Sequence, residues 1–140
     1  MKIGFSFGFD AAHRLMGYDG LCKNIHGHHW RVDIVVEGPV SLLTGMVMDF
    51  KVLKKHIKHI EDLYDHSLIM CDQDPQLVGI TLVCPEQKFL ILPTIPTAEF
   101  IAQDIKRRLE LTLPQLETTN HRLVIDSVTV YESSNCWAQI

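Results

Sequence analysis

The residues best suited to chemistry in this chain stand close together, in Cys22-Lys23-Asn24-Ile25-His26-Gly27-His28-His29. His26 and His28 are two apart, so on an extended backbone both imidazoles project from the same face. Gly27 between them has no side chain and lets the chain bend there. Two imidazoles on one strand face supply half of a tetrahedral zinc shell. A third ligand must come from elsewhere, and His13 in Ala11-Ala12-His13-Arg14 is the best candidate. It follows a first strand that can pair with the strand beginning just after His28. Three neutral His with one position left for water or substrate form a catalytic kind of zinc site. Cys22 as a fourth ligand would instead close the site and make it structural. His-x-His also occurs without any metal, so spacing alone leaves no metal, structural zinc and catalytic zinc all open.

Three weaker signals accompany this cluster. Asp65-His66 follows a helical segment, and a carboxylate can fix the tautomer of an imidazole and prepare it for proton transfer. Neighbours in sequence seldom reach each other by side chain, so alone the dipeptide reads nearer a helix-terminating pair than a dyad. Glu132 ends an otherwise apolar, β-branched strand, unusual for a core and ordinary for a strand end. Thr97 and Glu99 begin a helix, where a cap and a first-turn acid explain them without substrate. His29 falls on the face opposite His26 and His28. His56 and His59 lie among lysines on a solvated helix face, and His121, near Asn120, carries no signal.

The elements that must position these residues follow from periodicity. Phe5, Phe7 and Phe9 mark one face of a first strand, and Trp30–Glu37 is a second, ended by Gly38-Pro39. Asp49 is a suitable N-cap for a helix from Phe50 to Leu63. Its apolar stripe is Phe50, Leu53, Ile57 and Ile60, with lysines covering the other side. A second helix runs from Pro96-Thr97 to about Leu111, burying Phe100, Ile101, Ile105 and Leu109, and Pro114 stops it. Between the helices, Gly79 to Leu92 reads as an extra hairpin. A strand from Leu123 to Glu132, a tight Ser133-Ser134-Asn135 turn and a return strand Cys136–Ile140 close the chain. The pattern predicts an α+β fold, an antiparallel sheet with helices on one face.

Composition narrows the function classes. The chain has 140 residues, one domain's length, with 46% hydrophobic and 21% charged residues. A formal charge of −4 makes a poor candidate for nucleic-acid or anionic-membrane binding, which depends on clustered cations. No stretch approaches the ~18 apolar residues of a membrane helix. The alternating start from Met1 to Asp10 lacks the apolar block of a secretory signal, so a cytoplasmic location is expected. Cys22, Cys71, Cys84 and Cys136 form no CxxC pair, and free thiols are the expectation.

Taken together, six blocks resemble the 6-pyruvoyl-tetrahydropterin synthase and 6-carboxytetrahydropterin synthase group of tunnelling-fold enzymes. They are Phe9-Asp10-Ala11-Ala12-His13-Arg14-Leu15, Cys22 through His28, and Thr44-Gly45-Met46-Val47-Met48-Asp49-Phe50. Asp65-His66, Pro96-Thr97-Ala98-Glu99 and Val130-Tyr131-Glu132 complete the set, in the family's order and over nearly the whole chain. Three residues, Lys23-Asn24-Ile25, separate the cysteine from His-Gly-His. That spacing resembles the carboxy branch, whereas the biopterin-forming branch has five. The absence of a glutamate between Cys22 and His26 counts against a hydroxymethyl-dihydropterin branch.

The resemblance implies that residues 1–140 form a single pterin synthase domain. Its fold would be a four-stranded antiparallel sheet with two helices on one face. Sheets of several subunits would join into a barrel, with a homohexamer expected and sites between subunits. His13, His26 and His28 would hold zinc, and Cys22, Asp65, His66 and Glu132 would be catalytic. Glu132 would also bind substrate, with Thr97 and Glu99 as lesser contacts. The substrate would be 7,8-dihydroneopterin triphosphate, its triphosphate met by Arg14, Lys23 or the lysines of the first helix. The product would be 6-carboxy-5,6,7,8-tetrahydropterin, toward queuosine-type nucleosides. Alternatives are triphosphate elimination alone, a zinc hydrolase or deaminase, and a non-catalytic zinc or pterin-binding module. The apolar strands at both ends offer edges that need covering.

Overall fold

The structure is a computed structural model that describes residues 1–113 and 123–140; Pro114 and His121 lie outside the described residues. Strand β1 (Lys2–His13) pairs antiparallel along its whole length with β2 (His26–Glu37). Helix α1 (Phe50–Tyr64), strand β3 (Ser67–Cys71), helix α2 (Leu77–Val83) and strand β4 (Phe89–Leu92) follow. Helix α3 (Ala98–Thr112), β5 (Val124–Tyr131) and β6 (Trp137–Gln139) complete the chain. The sheet order is β4-β3-β1-β2-β5-β6.

The alternation along β1 and β2 decides the layering. Phe7, Phe9, Ala11 and His13 are buried on one face, as are Trp30, Val32, Ile34 and Val36. Leu53, Ile57, Ile60 and Tyr64 of α1 pack against that face with Ile101, Ala102, Ile105 and Leu109 of α3. The opposite face carries small or polar residues such as Ser6, Asp10, His29 and Arg31. A stacked Phe9–Trp30 pair and a tilted Phe9–Tyr64 pair tie sheet to helix at the core's centre.

Helix starts agree with their caps. Asp49 Oδ1 accepts from the Lys51 backbone N–H at 2.8 Å, and the Thr97 hydroxyl accepts from Phe100 N–H. Phe50 and Phe100, expected on the buried stripes, are exposed. The closing hairpin is present. The Ser133 hydroxyl accepts from Asn135 and Cys136 N–H, and Glu132 N–H donates to the Cys136 carbonyl at 3.0 Å.

Several expectations are corrected. Among the described residues the sheet has six strands, not four, and is mixed: β3 is parallel to both β1 and β4. Among the described residues three α-helices are present, not two, and the expected hairpin over Gly79 to Leu92 is a helix followed by a strand. Parallel neighbours cannot be joined by a tight turn, so the chain between β3 and β4 must cross over, and α2 is that crossover. The strand edges also differ from expectation. β1 is interior, between β3 and β2, so the open edges belong to β4 and β6. Among the described residues no helix is long and apolar enough to cross a membrane, and all four cysteines are free thiols.

Candidate active site

The β1–β2 register places His13 directly opposite His26, and Ala11 opposite His28. All three imidazoles therefore meet on the buried face at one end of the ladder. Their ring centroids are 4.5 to 5.2 Å apart, and their ligand nitrogens lie within 4.8 Å of one another. Trp30 forms the floor, edge-on to His13 and to His28, with its indole N–H on the Ala11 carbonyl at 3.2 Å.

Hydrogen bonds fix what these rings can do. His13 Nδ1 donates to the Pro96 carbonyl at 2.7 Å, and His26 Nδ1 donates to the Asn24 carbonyl at 2.9 Å. A carbonyl only accepts, so each ring carries a proton on Nδ1, and in the neutral tautomer this leaves the Nε2 lone pair free to accept. Those two acceptors face each other across 3.1 Å, and His28 Nε2 is buried with no hydrogen-bond partner among the described residues. Lone pairs converging in this way repel unless a cation lies among them. Zinc–nitrogen bonds of about 2.0–2.1 Å in a tetrahedron set nitrogens about 3.3 Å apart, close to the observed separation. Carbonyls holding the far ring nitrogens are the usual outer support of such ligands. Burial, reinforced by the other imidazoles, holds His13 below its ordinary pKa, and burial does the same to His28. Both are thus neutral near pH 7, the form that binds metal. The residues present fit a three-histidine metal site.

Glu132, just past β5, brings Oε1 to 3.4 Å from His13 Nε2 and 3.7 Å from His28 Nε2. It stands beside the triad without hydrogen-bonding it. Cys22 lies on a single 3-10 turn (Leu21–Lys23), half-buried, and its carbonyl accepts from Leu15 N–H at 2.8 Å. It is not part of the group of converging ligand atoms, so the closed Cys-plus-three-His arrangement is not formed. Thr97 follows the Pro96 that orients His13, so the start of α3 abuts the triad. Thr97 caps that helix, and its hydroxyl is the main cause holding the Glu99 carboxyl below its ordinary range.

Asp65 and His66 do pair: Asp65 Oδ2 lies 2.8 Å from His66 Nδ1. The expectation that adjacent side chains cannot meet fails because His66 adopts φ +57°, a left-handed conformation that breaks the divergence of successive side chains. The Asp10 backbone N–H donates to Asp65 Oδ1 at 3.0 Å, and chiefly that bond, with His66, lowers the Asp65 carboxyl's pKa. The pair is not brought to its own chain's triad. His66 N–H bonds the Asp10 carbonyl, three residues before His13, roughly 10 Å along the strand. Its side chain is 78% exposed. His29 points outward as expected and pairs with Asp10.

Arg14, considered above for triphosphate, is instead buried and paired with Asp74 at 2.9 Å. Lys58 is engaged by Glu61 and Asp62. The residues missed in the sequence are the Pro96 and Asn24 carbonyls, Asp10 as the anchor of Asp65, and Lys88, whose ammonium holds the Asp62 and Asp65 carbonyls. Every residue has a carbonyl, so no side-chain pattern could have marked the first two.

Comparison with known proteins agrees with this arrangement. The sequence profile of the 6-pyruvoyl tetrahydropterin synthase family matches residues 2–140. A Rickettsia felis protein named 6-carboxy-5,6,7,8-tetrahydropterin synthase is 31% identical over 133 residues, 94% of each chain. A Haemophilus influenzae protein of the same name is 31% identical over 144 residues, covering 99% of this chain and 96% of its own. Among solved structures, an uncharacterized Wolinella succinogenes protein superposes with a TM-score of 0.83 at 20% identity, over 100% of this chain and 97% of that one. The Caenorhabditis elegans 6-pyruvoyl tetrahydropterin synthase gives 0.73 at 23% identity, over 100% and 94%. With the profile spanning the strands, helices and histidine triad alike, the chain belongs to the 6-pyruvoyl tetrahydropterin synthase family.

Proposed function

We propose that this protein is a zinc-dependent lyase acting on 7,8-dihydroneopterin triphosphate. With water, it would release 6-carboxy-5,6,7,8-tetrahydropterin, acetaldehyde and triphosphate, an early step toward 7-deazaguanine nucleosides. The observation that carries the reading is the triad: two imidazole acceptors facing each other at 3.1 Å and a third buried without a partner. His13, His26 and His28 would hold the ion. Bound there, zinc supplies Lewis acidity that makes the hydroxyls of the substrate's side chain more acidic.

The remaining roles fall to the chain's own groups. Cys22 moves protons at the side-chain carbons, a task for which the thiolate is the reactive form of the group. Glu132 accepts two parallel hydrogen bonds from the guanidine-like edge of the pterin, the geometry of an Arg–carboxylate fork. Thr97 and Glu99 make lesser contacts at the start of α3. Asp65 orients His66, which relays protons. Because that pair is exposed and roughly 10 Å along the strand from its own His13, it serves Cys22 of a neighbouring subunit. This supports a closed homo-oligomer, a hexamer whose sheets join into a barrel, with the sites at subunit boundaries. Lys23, exposed on the Cys22 turn, is the cation best placed for triphosphate once Arg14 is committed to Asp74.

Mass spectrometry of the products tests the reading. The zinc-loaded protein is incubated with 7,8-dihydroneopterin triphosphate, and acetaldehyde is assayed separately. A 6-carboxytetrahydropterin mass with matching acetaldehyde is expected. A 6-pyruvoyl product without acetaldehyde would move the protein to triphosphate elimination alone. Unchanged substrate with zinc bound and the fold intact would leave a binding module.

A further inference from the structure

We infer that Asp74, acting through Arg14, is a positioning residue for Cys22. The Arg14 guanidinium is buried and bridges two segments distant in sequence. Its Nη1 donates to Asp74 Oδ1 at 2.9 Å, and its Nε donates to the Lys23 carbonyl at 2.9 Å. Asp74 is itself fixed in the connection after β3. Its N–H donates to the Cys71 carbonyl, and its Oδ1 also accepts from Gln76 N–H at 2.9 Å. The Lys23 carbonyl belongs to the single turn that carries Cys22.

The chain of contacts therefore runs from the end of β3, through a buried carboxylate and a planar guanidinium, to the residue next to Cys22. Arg14 also directly follows His13, so one side chain sets the spacing between the thiol's turn and the end of β1. The turn's bonds beyond itself are few. Among the described residues, apart from the Arg14 bond, Leu15 N–H to the Cys22 carbonyl holds it to β1's end and His26 Nδ1 to the Asn24 carbonyl holds it to β2's start, while the Gly20–Lys23 and Leu21–Asn24 bonds are internal. With the guanidinium untethered, the Lys23 side of the turn loses its side-chain anchor, and only the Leu15 bond at Cys22 and the His26 bond at Asn24 remain. Arg14 is poorly replaced here, since a rigid fork reaching two acceptors at once is a guanidinium's geometry and not an ammonium's. Both charges are buried, so the pair is weakly screened and loss of either partner leaves the other uncompensated. The connection after β3, the long crossover through α2, thereby acquires a task besides joining two parallel strands.

The role assigned to Cys22 rests on the proposed lyase reading, so the test reads the thiol as well as turnover. Asp74→Asn and Asp74→Glu are compared with the parent and with Leu53→Ala, a core variant remote from the turn. Iodoacetamide labelling of zinc-loaded protein is followed by peptide mass spectrometry, which resolves Cys22 from the exposed Cys84 and Cys136. For Asp74→Asn, zinc content should stay at the parent level and Cys22 labelling should change at least threefold, with Cys84 and Cys136 unchanged. Turnover number should fall about tenfold or more, with KM within threefold. Asp74→Glu, which keeps the charge, should recover part of both effects, and it carries the test if Asp74→Asn does not fold. Unaltered Cys22 labelling in both variants would overturn the proposal. So would an equal change in Leu53→Ala, which would mean general loosening. If no variant, nor the parent, turns over the pterin triphosphate, the lyase reading fails while the labelling still decides whether Asp74 positions Cys22.

Discussion

His28→Leu separates a metal ligand from an ordinary core histidine, because the two roles predict different losses of stability without metal and different responses to zinc. In the metal-free protein His28 Nε2 is buried with no partner. A stranded polar atom of that kind costs about 1–3 kcal/mol. The His28 side chain is 26% exposed, so the lower end, about 1 kcal/mol, applies. Leucine has nearly the same volume and no such atom, and shape mismatch in volume-conserving exchanges costs under about 1.5 kcal/mol. The metal-free variant should thus lie within about 1 kcal/mol of the metal-free parent, well short of the ~2–5 kcal/mol of a truncated core residue. Zinc at a hundredfold excess over its dissociation constant adds about 2.7 kcal/mol to a protein that binds it only when folded. For a chain of this length that is about 8 °C in melting temperature. The parent should show that rise and the variant, with two imidazoles left, should show under about 2 °C. Differential scanning calorimetry of both proteins at one concentration, after chelation and after zinc addition, supplies all four values. A metal-free variant more than about 2 kcal/mol below the parent, or a variant retaining the full zinc shift, would refute the reasoning.

The remaining predictions concern acid, a helix tie and the thiol. In the metal-free protein, burial keeps His13 and His28 neutral below the pH where an unfolded imidazole, with a pKa near 6.5, gains its proton. The unfolded chain then binds more protons, so stability should fall as pH drops below about 6.5 and level off once the folded imidazoles also titrate. Urea midpoints between pH 5 and 8 on chelated protein check this, and a midpoint independent of pH would contradict it. Asp104 accepts from the buried Tyr64 hydroxyl at 2.6 Å and from Arg107 and Arg108, which ties α1 to α3. Asp104→Ala should cost about 2–3 kcal/mol, much of it the stranded hydroxyl. Adding Tyr64→Phe should then cost less than it does alone, and strict additivity in a double-mutant cycle would count against the tie. Cys22→Ala should keep its zinc and melting temperature and lose at least a hundredfold in turnover. Loss of zinc, read by atomic absorption, would return Cys22 to the ligand shell.

Much of this molecule is legible in the linear sequence because it is built on local periodicity. The period of two that aligns Phe5, Phe7 and Phe9 also carries His13 onto the core face, and His26 and His28 share a face by the same rule. Asp49 and Thr97 announce their helices because a cap bonds only two or three residues ahead. The tertiary structure decided what depends on partners far away. Ser67–Cys71 is a short apolar run that carries no sign of its parallel neighbours, and the β-branched stretch Leu77–Val83 is helical within the crossover those neighbours require. The pairing of Asp65 with His66 waited on one left-handed residue at a helix-to-strand junction. The burial of Arg14 waited on Asp74, sixty positions away. The lone pairs of His13 and His26 are aimed by the carbonyls of Pro96 and Asn24. Side-chain types and spacing, which propagate along the chain, thus name the candidate metal ligands. The tautomers that would let them bind an ion are set by backbone groups every residue possesses, and only the fold chooses which of those come within reach.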